Sequence, residues 1–225
     1  MRYYPIFVNL TDKDCLVVGA GAVGRRKIGA LLDRGPRSVL VVDTRPPADD
    51  MAALLDNPRL CYETRTFRDE DVDGKFIVIA STDNEELNWR ISNLCKDRGI
   101  LCNIVDQPEK CSFIVPAVVS KGDLTLAVST GGASPALAKK IRRDLEEYFG
   151  SNYGDFLILM ARLRPHVLGL ERGTEHNTVL FRDLVASDLL SAFERNDAGR
   201  AREILAAHLP AEISGRIDEV LDGLF

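Results

Sequence analysis

No apolar run in this chain approaches the ~18 residues that a membrane-spanning helix needs. The opening Met-Arg-Tyr-Tyr-Pro-Ile-Phe lacks the apolar core of a secretory signal. The expectation is a protein with no membrane partner. The cysteines, Cys15, Cys61, Cys95, Cys102 and Cys111, form neither C-x-x-C nor a zinc spacing, and an odd number cannot all pair. That usage suits a reducing cytoplasm. Histidine is scarcer still. His166, His176 and His208 are scattered, so each reads as a surface or capping residue, and no His/Cys cluster exists to build a metal site. Positive charge is also short. The 29 Lys and Arg against 34 Asp and Glu leave a formal charge of −5, which argues against a nucleic-acid binder that works by global positive charge. There is no internal repeat and no low-complexity tract.

What is present is a soluble composition, 45% apolar and 28% charged, in 225 residues that can bury a core without metal or disulfide staples. The organising stretch lies near the N-terminus. Residues 15–18 are a short apolar run, the kind that forms a buried strand. Gly19, Gly21 and Gly24 complete G-x-G-x-x-G, and from Val23 the pattern turns helical, with Ile28, Leu31 and Leu32 at helical spacings. In such a turn the first glycine permits the bend, the second lets the backbone approach a pyrophosphate, and the third lets helix and strand pack closely. Free N–H groups at the helix start attract phosphate charge. A second strand, 38–43, ends at Asp43, 19 residues after Gly24, where a ribose-binding acid belongs. This reading puts Gly19, Gly21, Ala22, Val23 and Gly24 at a pyrophosphate and Asp43 with Thr44 at a ribose. Asp43 favours NAD, while Arg45 offers the alternative of holding the 2′-phosphate of NADP. The plainer alternatives are a glycine turn that binds nothing and a strand-end acid in solvent.

Further along, 46–58 reads as loop and short helix, and 60–67 as a polar-alternating strand. Residues 75–80 read as an apolar strand covered on both faces. Ser81, Thr82, Asp83 and Asn84 precede a helix with Leu87, Ile91, Leu94 and Cys95 on one face. The loop after such a strand borders the cofactor crevice of a doubly wound sheet, so Ser81, Thr82 and Asp83 are candidate cofactor contacts. Helix capping explains them equally well. Asn88 is either a crevice residue or a surface one. A strand over 100–105 is followed by Asp106, at the carboxyl edge where ligands of α/β sheets sit. Asp106 is either a catalytic acid/base or a turn acid before Pro108. Then the pattern changes. Residues 112–120 and 123–129 flank Lys121-Gly122 as a hairpin. The helix that follows has Ser134 as N-cap and Pro135 in its first turn. The loop Ser129, Thr130, Gly131, Gly132 and the cations Lys139, Lys140, Arg142 and Arg143 either receive an anionic ligand or form a cap and a solvated basic face. The tail reads as helices over 156–161, 179–193, 201–209 and 213–224, with a linker at 169–177.

Taken in order, several motifs resemble the precorrin-2 dehydrogenase/sirohydrochlorin ferrochelatase family, the N-terminal module of sirohaem synthases. They are Pro5-Ile-Phe, Gly19-x-Gly-x-x-Gly24-x-x-Lys27, Ala80-Ser-Thr-Asp83, Cys102-Asn-Ile-Val-Asp106-x-Pro108, Ser112-Phe-Ile-x-Pro116 and Ser129-Thr-Gly-Gly-Ala-Ser-Pro135-x-Leu-Ala138. The likeness covers residues 3–148; the tail matches only in being helical. The resemblance implies an α/β fold: a Rossmann-like doubly wound parallel sheet, then a small hairpin/helix dimerisation region, then a helical C-terminal region. The expected divisions are 1–113 for NAD binding, 114–148 for dimerisation and substrate, and 149–225 for the helical domain. It implies NAD-dependent oxidation of precorrin-2 to sirohydrochlorin in a homodimer, with Fe(II) insertion added in some members. The family's essential aspartate falls on Asp106, and its serine-rich turn on Ser129 and Thr130. No resident metal is implied. A sensor of NAD without catalysis, and a dehydrogenase of another small substrate, are the rival readings.

Overall fold

Strand β1 (Asp14–Val18) has no polar member after Asp14, so both of its faces must be covered. They are. Cys15 and Val17 join Ile28, Leu31 and Leu32 of helix α1 (Ala22–Leu32) in one apolar cluster. Leu16 and Val18 join Ile91 and Cys95 in another. The same alternation divides β2 (Ser38–Asp43), where Val39 and Val41 face one cluster and Val42 the other. A short helix α2 (Ala52–Leu55) leads to β3 (Leu60–Thr64). Strand β4 (Ile77–Ala80), helix α3 (Glu85–Asp97) and strand β5 (Leu101–Ile104) complete the unit. Leu16, Ile28 and Ile91 are fully buried, and each such side chain contributes about 1.5–3 kcal/mol.

The five strands are parallel, in the order β3-β2-β1-β4-β5. The chain builds outward from β1 on one side and then crosses to build from β4 on the other. The carboxyl ends of β1 and β4 therefore flank the crevice where ligands of open α/β sheets bind. The computed structural model describes residues 3–105 and 107–225, and the chain divides into two units, Met1–Val115 and Pro116–Phe225. Before β1, Tyr4, Ile6 and Phe7 are exposed and, among the described residues there, only Leu10 is buried, a lead-in of the kind Pro5 favours.

Several boundaries differ from the sequence expectation. β3 ends at Thr64 rather than 67, because Arg65 turns aside to pair with Asp71. The first hairpin strand begins at Ala117 rather than 112. Residues 112 and 113 dock on β5 instead: Ser112 N–H donates to Cys102 O at 2.9 Å, and Asn103 Nδ2 donates to Phe113 O at 3.0 Å.

The second unit opens with the antiparallel hairpin β6 (Ala117–Lys121) and β7 (Leu124–Val128). Helix α4 (Pro135–Tyr148) follows, with Ser134 Oγ accepting from Leu137 N–H at 3.2 Å as its cap. Helix α5 (Asn152–Leu168) approaches the hairpin turn closely enough that a Cβ on Gly122 would lie 3.3 Å from Gly154 Cα. The remaining helices are α6 (Thr174–Ala186), α7 (Leu189–Glu194), α8 (Ala198–His208), α9 (Ala211–Ser214) and α10 (Ile217–Leu221). They close around Leu159, Leu163, Leu184, Leu189 and Leu205, a core of their own. The single helix expected over 179–193 is two. Ser187 Oγ donates to Leu184 O at 2.7 Å and accepts from Leu189 N–H at 3.2 Å, ending one helix and starting the next. The expected linker is shorter than 169–177, since α6 begins at Thr174 behind Gly173, whose φ is 85°.

Candidate dinucleotide site

Each glycine of the motif is there for a different reason. Gly19 has φ 92°, and a Cβ on it would lie 2.6 Å from Ser81 O. Gly24 is buried in the first turn of α1, and a Cβ there would lie 2.0 Å from Gly19 O. Gly21 is the N-cap of α1, and nothing lies within 4 Å of the Cβ it lacks. Gly19 and Gly24 thus permit the close packing of loop, helix and β4, while Gly21 leaves open space above the backbone. No side chain caps α1, and no acid occupies its first turn. Its leading N–H groups are left for an anion, the arrangement that suits a pyrophosphate.

The loop is finished by residues far away in sequence. Ser81 Oγ donates to Gly19 O at 2.8 Å. Thr82 Oγ1 donates to Asn88 Oδ1 at 2.7 Å, and Asn88 Nδ2 donates back to Thr82 O at 2.9 Å. Asn88 is therefore buried and organises the loop after β4, rather than reaching across the crevice or lying on the surface. Asn84 caps α3 by accepting from Leu87 N–H at 3.0 Å.

Asp43 is not the solvated strand-end acid. It is 9% exposed, and both of its oxygens are engaged: Oδ2 accepts from Ala20 N–H at 2.6 Å and Oδ1 from Arg45 N–H at 2.8 Å. Burial works to raise its carboxyl, but the Ala20 and Arg45 amides, with the Arg45 guanidinium at 3.7 Å, hold it below the usual carboxylate range. Each carboxylate oxygen has a second lone pair, so the acid can anchor the glycine loop and still accept a ribose hydroxyl.

These elements enclose a cavity of about 630 Å³. Among the residues expected at a cofactor, Gly19, Gly21, Asp43, Thr44, Ser81, Thr82 and Asp83 line it. Ala22, Val23 and Gly24 do not; they form the first turn of α1 behind the loop. Among the lining residues that sequence reasoning missed are Arg65, Thr66, Phe67, Glu86 and Arg90. Arg65 could have been found, because it stands at the carboxyl end of the strand beside β2. Its guanidinium forms a two-pronged pair with Asp71 at 2.7 Å, which raises its pKa and depresses that of Asp71 against the opposing effect of burial. Arg90 pairs with Asp69 at 2.7 Å. Arg45, with its side chain 70% exposed, is the least committed of the three.

The remaining expected residues lie in the second unit or outside the description. Thr130 Oγ1 donates to Ser134 O at 3.0 Å and accepts from Ser134 N–H at 3.1 Å, while Ser129 Oγ accepts from Gly131 N–H at 3.1 Å. Gly131 and Gly132 take φ of 62° and 88°. The loop therefore satisfies part of its own hydrogen bonding. Of the four cations on α4, Lys140 pairs with Asp144 and Arg142 with Glu146. Lys139 and Arg143 are exposed and make no ion pair among the described residues. Asp106 lies outside the described residues.

Residues 6–117 match the family model described as NAD(P)-binding, and residues 121–148 match the model for the central region of sirohaem biosynthesis proteins. The chain belongs to the family of sirohaem biosynthesis proteins. Its relatives in that family include the sirohaem synthase of Thioalkalivibrio sulfidiphilus, 36% identical over 96% of this chain and 44% of the relative. Sirohaem synthase 1 of Aeromonas salmonicida is 33% identical over 98% of this chain and 47% of the relative. The chain thus spans less than half the length of these curated relatives. A solved structure, SirC, precorrin-2 dehydrogenase, superposes with a TM-score of 0.71 over 89% of this chain and 100% of that one. Its sequence identity is 22%, and it shares the fold: parallel sheet, small hairpin and C-terminal helices.

Proposed function

We propose that this chain is an NAD-dependent dehydrogenase that oxidises precorrin-2 to sirohydrochlorin in sirohaem biosynthesis. The observation that carries the reading is the cavity at the β1/β4 crossover of a sirohaem-family chain, with an uncapped helix N-terminus and a glycine-loop cradle. NAD supplies the hydride acceptor. The chain's residues bind and orient it. The α1 amides with Gly19, Gly21, Ala22, Val23 and Gly24 serve the pyrophosphate, Asp43 and Thr44 the ribose, and Ser81, Thr82 and Asp83 the crevice wall. Oxidation of precorrin-2 releases one hydride, which converts NAD to NADH, and one proton, which needs a base within reach. That base is Asp106, one residue beyond Val105, whose N–H bonds Ala80 O at 3.1 Å and extends the β4–β5 pairing.

Ser129, Thr130, Gly131, Gly132 and Lys139 meet the substrate carboxylates. The functional divisions are 1–113 for the cofactor, 114–148 for substrate and dimer contact, and 149–225 for the helical domain. A homodimer is supported by the two-stranded β6/β7 sheet, marginal by itself, and by Leu137 and Tyr148 exposed on α4. Fe(II) insertion is a second activity of the same site, with the Asp106 carboxylate accepting pyrrole protons as the metal enters. The working compartment is the cytoplasm: all five cysteines are free, and no described helix is long and apolar enough to cross a membrane.

The test is anaerobic. Purified protein, precorrin-2 and NAD are followed by absorbance, and Fe(II) is added once the first change stops. NAD-dependent formation of sirohydrochlorin is the expected result, and an enzyme-accelerated second change marks iron insertion. Absence of the first reaction overturns the proposal.

A further inference from the structure

One cation beside the glycine loop has no part in the binding described so far. Arg25 stands in the first part of α1. Side chains on a helix lean toward its N-terminus, so the Arg25 guanidinium lies back over the loop that precedes the helix. There Nη1 donates to Ala20 O at 3.3 Å, and Nη2 meets Asp50 Oδ2 at 3.1 Å. Asp50 belongs to the short 3₁₀ turn Asp49–Met51. Its neighbour Met51 is fully buried in the cluster that holds Ile28 of α1. The acid is thereby fixed beside the helix, and the guanidinium is held between it and the loop.

Every carbonyl of the bend is taken. Gly19 O accepts from Ser81 Oγ at 2.8 Å. Ala20 O accepts from the Arg25 guanidinium, and Gly21 O accepts from Arg25 N–H at 2.9 Å. The amides divide differently. Gly19 N–H donates to Val42 O at 2.9 Å and Ala20 N–H to Asp43, while Gly21 N–H has no acceptor among the described residues. A trans peptide points its N–H opposite to its C=O. The plane between Ala20 and Gly21 therefore turns its oxygen to Arg25, which is not among the described residues lining the cavity. It turns its N–H the other way, at Gly21, which does line it.

We infer that Arg25 is a positioning residue for a pyrophosphate: its guanidinium fixes the Ala20–Gly21 peptide, turning the carbonyl away from the ligand and the Gly21 N–H toward it. The inference rests on the dinucleotide reading above. A carbonyl oxygen aimed at a phosphate repels it, so the tie removes a repulsion as well as presenting a donor. Arg25 acts through the loop and touches neither sugar nor base. Its effect falls on the phosphate part of the ligand, while the ribose end at Asp43 and Thr44 keeps its own contacts.

The experiment titrates wild type, Arg25→Met and Arg25→Lys with ADP, which carries the pyrophosphate, and with adenosine, which carries none, beside thermal melts. Arg25→Met is expected to bind ADP about tenfold more weakly, the loss that one charge-assisted hydrogen bond brings, with adenosine affinity unchanged. Arg25→Lys, which keeps a charged donor, is expected to recover much of it. Wild-type ADP affinity in Arg25→Met, or equal losses for ADP and adenosine, overturns the inference. If Arg25→Met does not fold, the amide resonance of Gly21 in the wild-type chain decides. It is expected to shift on addition of ADP and not of adenosine, and a Gly21 resonance that ignores ADP overturns the assignment. A wild-type protein that binds neither NAD nor ADP sinks the dinucleotide reading instead, a failure visible before any variant is made.

Discussion

Asp43 Oδ2 accepts a hydrogen bond from Ala20 N–H at 2.6 Å, joining the tip of β2 to the glycine loop. The acid that sequence reasoning assigns to ribose is therefore also an internal brace. Asp43→Ala leaves the buried Ala20 amide unpaired, at a cost of about 1–3 kcal/mol. Denaturant unfolding should register that loss, and titrations with NAD and NADP should divide it. The loss common to both cofactors measures the brace, and any excess for NAD measures ribose contact. A variant as stable as wild type would show that the brace does nothing.

The same carboxylate predicts an acid dependence. Its pKa in the folded chain lies below the unfolded value of about 3.9. The charged form is thus favoured by folding, and its contribution is full above the unfolded pKa and fades as pH falls through the folded one. The stability gap between wild type and Asp43→Asn should be constant above about pH 5 and narrow below about pH 4. A gap that widens on acidification contradicts the assignment.

Gly21 and Gly24 should separate binding from folding. Gly21→Ala has open space for its methyl, so stability should hold while NAD affinity falls by about tenfold or more, ~1.4 kcal/mol, from obstruction of the approach. Gly24→Ala drives Cβ to 2.0 Å from Gly19 O, and should lose about 3 kcal/mol or more of stability, or fail to fold. Calorimetric binding and thermal melts on both variants test the pair, and identical behaviour would refute it.

Asp106→Asn should abolish precorrin-2 oxidation while leaving NAD affinity within about twofold of wild type, since removing a catalytic base costs ~10²–10⁴ in rate. Wild-type turnover in this variant would remove Asp106 from the mechanism.

In the helical unit, Gly122 has φ 56° and its missing Cβ would sit 3.3 Å from Gly154 Cα. Gly122→Ala should cost about 1–2 kcal/mol from the left-handed backbone alone without altering NAD affinity. A melting curve unchanged from wild type would mean that the hairpin turn relaxes at no cost.

The parallel sheet was legible because its signals are local. The run 15–18, the three glycines and the apolar strand at 75–80 each carry their pattern within a few residues. What was not legible depends on partners distant in sequence. Nothing near Asn88 says that Thr82 will bury it, and nothing near Asp43 says that Ala20 will claim one of its oxygens. Arg65 is visible as a wall residue only once β3 is known to lie beside β2. The break at Ser187 failed for a different reason. The apolar spacing across it continues uninterrupted, and only the hydroxyl's bonds to Leu184 and Leu189 reveal that the helix stops.

The bond from Ser81 Oγ to Gly19 O spans 62 residues of sequence. Its consequence is kinetic. The glycine loop can form its bend as soon as β1 and α1 meet, but its outer wall is absent until the chain has passed through β2 and β3 and inserted β4. A dinucleotide therefore cannot template an early folding step. It binds the finished sheet, withdraws native molecules from the unfolding equilibrium, and raises the melting temperature by mass action as its concentration climbs past the dissociation constant, while the rate at which the chain first folds stays the same.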